Sequence, residues 1–97
     1  MTSKQRAYLR GQANGLEAIL HAGKGGISAA MIKQADDALT ARELIKGKVL
    51  ETAPGTAREL AEEIAAAVNA QVVQVVGRTF VLFRQKDKDS QYKLPRG

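Results

Sequence analysis

Apolar residues recur at helical spacing early in the chain: Leu9, Ala13 and Leu16, with Lys4, Arg6 and Arg10 along the polar side. Ser3 is placed to cap this first helix and Asn14-Gly15 to stop it. A short apolar run at 16–22 follows and reads as a first strand, with His21 at the entrance to the next loop. That loop is Gly23-Lys24-Gly25-Gly26. Ser28 is a suitable cap for a second helix running to about Arg42. Its buried stripe is Met31, Ala35, Ala38 and Leu39, and Ile27 with Ile32 has the spacing of a hydrophobic staple.

Residues 43–51 alternate as a strand does, placing Ile45, Gly47 and Val49 on one face and Leu44, Lys46, Lys48 and Leu50 on the other. After the turn residues Pro54-Gly55, the run Thr56-Ala57-Arg58-Glu59 is a capping box, opening a third helix whose buried stripe is Leu60, Ile64, Ala67 and Val68. Two β-rich runs, 71–76 and 79–84, flank Gly77-Arg78, a pair suited to a two-residue type II′ hairpin. From Gln85 onward the pattern is lost and the residues are polar and charged, so residues 85–97 are expected to form a flexible or loosely docked basic tail after a domain at 1–84.

The predicted order is therefore αβαβαββ. The strand-helix-strand units need crossover connections and the last two strands form a hairpin, which makes a mixed four-stranded sheet. Helices of this kind bury their stripes only against the sheet, so the expected class is a two-layer α/β fold with much of one sheet face, including Lys46 and Lys48, left open.

Charge sharpens this picture. Fifteen Lys and Arg against ten Asp and Glu leave a net charge of +5, and the isoelectric point is near 9.8. A balance of that sign favours a polyanionic partner, nucleic acid first. Cysteine is absent, which excludes disulfides and thiolate sites and suits a reducing cytoplasm. The first residues carry no apolar signal core, and no stretch approaches membrane-spanning length. A cytoplasmic monomer without cofactor, metal, membrane or small-molecule substrate is expected.

The glycine loop is the first candidate site. Glycine leaves its N–H uncovered and accepts positive φ, and a helix beginning after Ser28 adds further unpaired donors, so the loop can cradle a phosphate beside Lys24. The alternative is that these glycines only make a tight strand-to-helix connection. The loop lacks the Gly-Lys-Ser/Thr ending of a nucleotide-binding P-loop. Catalysis finds no constellation: His21 has no cysteine or second histidine, and Asp36-Asp37 and Glu62-Glu63 are neighbours whose carboxylates diverge around a helix. No enzyme is expected.

The segments Gln5-Arg6-Ala7-Tyr8-Leu9-Arg10, Gly23 through Ser28, Ala38-Leu39 with Glu43-Leu44-Ile45-Lys46 and Lys48-Val49, Gln74-Val75-Val76-Gly77-Arg78-Thr79, Val81-Leu82-Phe83-Arg84 and Leu94-Pro95-Arg96 carry, in this order and spacing, a family resemblance. The chain resembles the CRM (chloroplast RNA splicing and ribosome maturation) domain family, in particular its stand-alone bacterial members of the YhbY type. The resemblance implies an RNA-binding domain similar to the C-terminal domain of bacterial translation initiation factor three, with a GxxG loop like that of KH domains. It further implies association with ribosomal RNA in precursors of the large ribosomal subunit. Its RNA-binding positions map to Gly23, Lys24, Gly25 and Gly26, with Lys4, Arg6, Arg10, Lys46, Lys48 and Arg84 as basic contacts; Ser28, at the start of the following helix, joins them as a candidate contact. Gly47 interrupts a strand where a bulkier residue is expected, and the acidic third helix, through Glu59, Glu62 and Glu63, is expected to face away from RNA.

Base reading in RNA normally uses exposed aromatics or Arg. Phe80 and Phe83 lie in an apolar strand and are expected in the core, while Tyr8 is open to either role. Grip on structured RNA by shape and charge is the expectation. Other readings are a protein-interaction adaptor using the open sheet face, or an RNA-splicing or regulatory factor.

Overall fold

A hydroxyl side chain starts each described helix. Thr2 caps α1 (Ser3–Ala13), Ser28 caps α2 (Ala29–Arg42) and Thr56 caps α3 (Ala57–Val68). The computed structural model describes residues 2–86 together with Ser90, Tyr92 and Leu94. At α3 the expected capping box is present: Thr56 Oγ1 accepts from Glu59 N at 3.1 Å, and Glu59 Oε1 accepts from Thr56 N at 3.0 Å. Hydrogen bonding to the carboxylate, first from the Thr56 backbone N–H and then from its side chain, favours the ionised form and holds the Glu59 pKa below its ordinary value. The first helix begins one residue earlier than Ser3 implied. Thr2 and Gln5 satisfy each other's backbone N–H groups at 3.1 Å, whereas a cap at Ser3 would place Arg6, which accepts nothing, at the reciprocal position.

The strands are β1 (Ala18–Ala22), β2 (Leu44–Val49), β3 (Gln71–Val76) and β4 (Thr79–Phe83), paired in the order β1-β2-β4-β3. β1 runs parallel to β2, and β4 is antiparallel to both β2 and β3, giving the mixed sheet expected. Between β3 and β4, Gly77 takes φ 58° while Arg78 takes no positive φ, as a type II′ turn requires. β1 is shorter than the 16–22 run: pairing starts at Ala18, opposite Lys46, and Leu16 serves to bring the chain across from α1. None of the described helices is long and apolar enough to cross a membrane.

Alternation along the strands divides the core in two. Leu20, Ala22, Ile45, Val49, Phe80 and Leu82 pack with α2 and α3 on one sheet face. Leu44, Val73, Val81 and Phe83 pack with Leu9 and Ala13 of α1 on the other. The face expected to remain open is thus half closed by α1, and the open remainder lies toward Lys46 and Lys48. In α3 the buried side is Leu60, Ile64 and Val68 with Ala57, Ala61 and Ala65; Ala67, expected among them, is exposed. At 100° per residue it falls roughly 90° round from the centre of that stripe.

Gly47 is explained by its neighbour in the ladder. It pairs with Phe80, and a Cβ there would lie 2.6 and 2.8 Å from Cε2 and Cε1 of the Phe80 ring. The missing side chain makes room for the largest fully buried residue. Burying a Phe contributes roughly 1.5–3 kcal/mol, so the exchange favours the fold.

Candidate nucleic-acid interface

Parallel pairing sets the loops after β1 and β2 side by side, where Leu50 N donates to Ala22 O at 2.7 Å. The β3–β4 hairpin reaches the same end, with Val49 N donating to Arg78 O at 2.7 Å. Residues 23–26 form a β-turn closed by a 2.9 Å bond from Gly26 N to Gly23 O. Lys24 and Gly25 occupy its exposed tip. The glycines are not equivalent. Gly26 has φ 67°, and a Cβ on it would lie 3.1 Å from Pro54 Cγ; a Cβ on Gly23 would lie 3.3 Å from Leu50 Cδ1. Gly25 has neither a positive φ nor any neighbour within 4 Å of a Cβ position.

Donors can be counted in the same way. Gly26 N–H is consumed by the turn, and Met31 N–H is consumed by Ser28 Oγ at 3.1 Å. The N–H groups of Lys24 and Gly25 make no hydrogen bond within the described residues. The tip therefore presents two adjacent backbone donors and one ammonium group to solvent, while Ser28 acts as the helix cap.

Lys48 is exposed and pairs in register with the exposed His21. Their neighbours Leu20, Ala22 and Val49 belong to the large core, so both side chains project from the opposite face. Lys46 shares that face but is half buried, its Nζ 3.4 Å from Leu16 O. Lys4 and Arg10 are exposed on α1. They do not form one line with Arg6, because at 100° per residue Lys4 falls roughly 160° round from Arg6. Arg78, which the residue pattern alone marked only as a turn position, adds a cation at the loop end and pairs with Glu51 at 3.1 Å. Among the described residues no three His, Cys, Asp or Glu come together as a metal-binding set.

The family model for the CRS1/YhbY (CRM) domain matches residues 1–84. The chain belongs to the CRM domain family. It is 40% identical over 95 residues to "Probable RNA-binding protein YqeI" of Bacillus subtilis, covering 98% of this chain and 99% of that one. It is 39% identical over 94 residues to "Probable RNA-binding protein MJ0652" of Methanocaldococcus jannaschii, covering 95% of this chain and 69% of the relative. The solution structure of Staphylococcus aureus SAV1595 superposes with a TM-score of 0.82 at 42% identity, covering 98% of this chain and 99% of the other.

Two cations of this CRM domain that were expected on an RNA surface are half-buried and bonded to groups of the fold instead. Arg6 Nη1 donates to Val72 O at 2.8 Å and Val73 O at 3.1 Å. Those consecutive carbonyls lie where the β3 register shifts, on an edge strand, and Arg6 satisfies what the ladder leaves unpaired. Arg84 is at the sheet end opposite the glycine turn. Its Nη1 donates to Asp36 Oδ1 at 2.7 Å and Val68 O at 2.8 Å, and its Nη2 to Asp36 O at 3.0 Å and Thr40 Oγ1 at 2.8 Å, clamping β4 to α2 and the end of α3. The aromatics are likewise internal: Phe80 and Phe83 are buried, as expected, and Tyr8 packs on the α1 core.

Beyond the matched segment, Tyr92 and Leu94 pack on that same core, and the Tyr92 ring meets Phe83 edge-on at 5.8 Å. Burial, then the Glu43 carboxylate and Tyr8, raise the Tyr92 pKa. The fully buried Glu43, at φ 66°, ends α2 and accepts at Oε2 from Ser90 Oγ at 2.6 Å and Lys86 N at 3.3 Å. The rest of the expected flexible tail lies outside the described residues.

Proposed function

We propose that this CRM domain binds structured RNA, with the tip of the Gly23–Gly26 turn holding a phosphate and Lys48, Lys46, Arg10 and Lys4 extending the contact along the backbone. The observation that carries this reading is Gly25. Neither dihedral strain nor packing requires glycine there, yet its bare N–H stands next to that of Lys24 and beside a free ammonium group. A phosphate approaching so close to backbone is what a Cβ would obstruct. The relatives' names and the +5 charge support RNA as the polyanion.

The turn plays the part of a KH-like GxxG loop, and the RNA is ribosomal RNA in cytoplasmic precursors of the large subunit; these finer statements rest on the family resemblance. The protein binds as a monomer and without catalysis. Titration of a stem-loop RNA at several salt concentrations tests the binding mode. Five cations each neutralising one phosphate give a log–log slope of about −4. Absence of RNA binding at low salt, with a protein partner retained through high salt, would replace this reading with the adaptor. Sucrose gradients test the assembly role: the protein travels with large-subunit precursors and is depleted from finished ribosomes, and equal occupancy of mature ribosomes contradicts it.

A further inference from the structure

On the open half of the sheet, beyond the C-terminal end of α1, is a shallow depression of about 250 Å³ lined by Asn14, Lys46, Gln74, Val76, Thr79 and Val81. Its floor is the buried Val81, and its wall is Val76, which at 59% exposure is one of two large apolar side chains left in water among the described residues. Asn14 ends α1 as its C-cap, Gln74 follows the β3 bulge, and Thr79 opens β4. The side chains of Asn14, Gln74 and Thr79 make no hydrogen bond within the described residues. Three polar groups thus converge on an apolar floor with their hydrogen-bonding capacity unspent, and Lys46 and Lys48 share the face.

The geometry points to a pocket for one unpaired RNA base. The volume is just under the roughly 300–1,000 Å³ of pockets for drug-sized ligands, which suits a single flat heterocycle. Two carboxamides, each with a donor pair and an acceptor, and one hydroxyl match the mixed donors and acceptors on a base edge. Val76 supplies the apolar contact that an aromatic platform gives elsewhere, since Phe80, Phe83 and Tyr8 are committed to the two cores. The flanking lysines are positioned for the phosphates of the same strand. A duplex keeps its base edges stacked and paired, so the pocket reads a loop or bulge and adds base selectivity to a grip otherwise made by charge. This inference rests on the RNA reading above, and its test separates the two.

The probes are four hairpin RNAs with all-A, all-C, all-G or all-U unpaired loops, together with the blunt duplex of the same stem, titrated against the full chain. At least one hairpin binds about tenfold tighter than the duplex, as one well-made base contact allows. That margin is lost in Asn14→Ala and in Gln74→Ala, with duplex affinity and salt slope unchanged. The side-chain amide signals of Asn14 and Gln74 shift with the preferred hairpin and not with the duplex. Equal affinity for all four hairpins and the duplex, or a margin that survives both substitutions, overturns the pocket while leaving the RNA reading intact. Asn14 is exposed at a helix end, so its variant keeps the test available if Gln74→Ala fails to fold. Absence of binding to every probe at low salt overturns the RNA reading and the pocket together.

Discussion

Replacing Arg84 with Ala is expected to cost stability and leave RNA affinity alone, the reverse of what a phosphate contact would show. Its side chain is 24% exposed, and the guanidinium makes four hydrogen bonds. The Asp36 partner is 54% exposed, so the ion pair itself contributes at most about 1 kcal/mol. The part-buried bond to Val68 O adds about 1.5 kcal/mol, the low end for a charged donor, and the two remaining bonds add less. The sum is about 2–3 kcal/mol, with the usual non-additivity of a shared network. In a domain of this size each kcal/mol shifts the melting midpoint by about 4–8 °C, so the loss is about 10–20 °C. Arg84→Lys keeps the charge without the planar fork and recovers only part of it. Urea and thermal denaturation, run with RNA titrations at a temperature where the variants are folded, give both quantities. A change in stability below about 0.5 kcal/mol together with a fall in RNA affinity and salt slope would refute the clamp.

Gly47→Ala forces a Cβ into the Phe80 ring and costs about 2–3 kcal/mol by chemical denaturation, with a smaller additional cost when Phe80 is already Leu; full additivity would contradict the contact. Tyr92→Ala removes the edge-on contact with Phe83 and lowers stability by about 1–2 kcal/mol, whereas an undocked tail would give no change. Thr56→Ala removes a helix cap and costs about 1 kcal/mol. The Glu59 pKa is lowered in the fold, so its contribution is full above the ordinary value of 4.5 and lost as pH falls through the folded value; a Glu59→Gln protein whose stability keeps the same acid dependence would contradict this.

What the residues reveal alone and what they conceal follow from range. The Thr56 capping box, the Ser28 cap and the Gly77-Arg78 turn are local chemistry, and each appears where expected. Thr2-Ser3 offers two hydroxyls, and only the acceptor at Gln5 decides between them. Long-range relations are concealed. Arg6 and Arg84 read as surface cations because the carbonyls they satisfy, at a bulge and at a helix end, are backbone groups without a residue signature. Gly47 makes sense only once β2 and β4 are in register. Glu43 is an acidic residue with a positive φ, two features that argue for the surface, yet it is fully buried at the α2–β2 junction beneath the chain end. In the candidate site the turn was legible, while the division of its glycines into two required by the fold and one that is not depends on Pro54 and Leu50, far along the chain.

That division gives the most direct test of the RNA grip. RNA affinity and thermal midpoint are measured on the same samples of Lys24→Ala, Gly25→Asp and Gly26→Ala. Lys24→Ala and Gly25→Asp melt as the parent does but bind RNA more weakly, Gly25→Asp the more so, because it sets a carboxylate against the phosphate. Gly26→Ala, strained by its positive φ and crowded by Pro54, loses about 1–2 kcal/mol of stability. Undiminished RNA affinity in the folded Lys24→Ala and Gly25→Asp proteins would contradict the account.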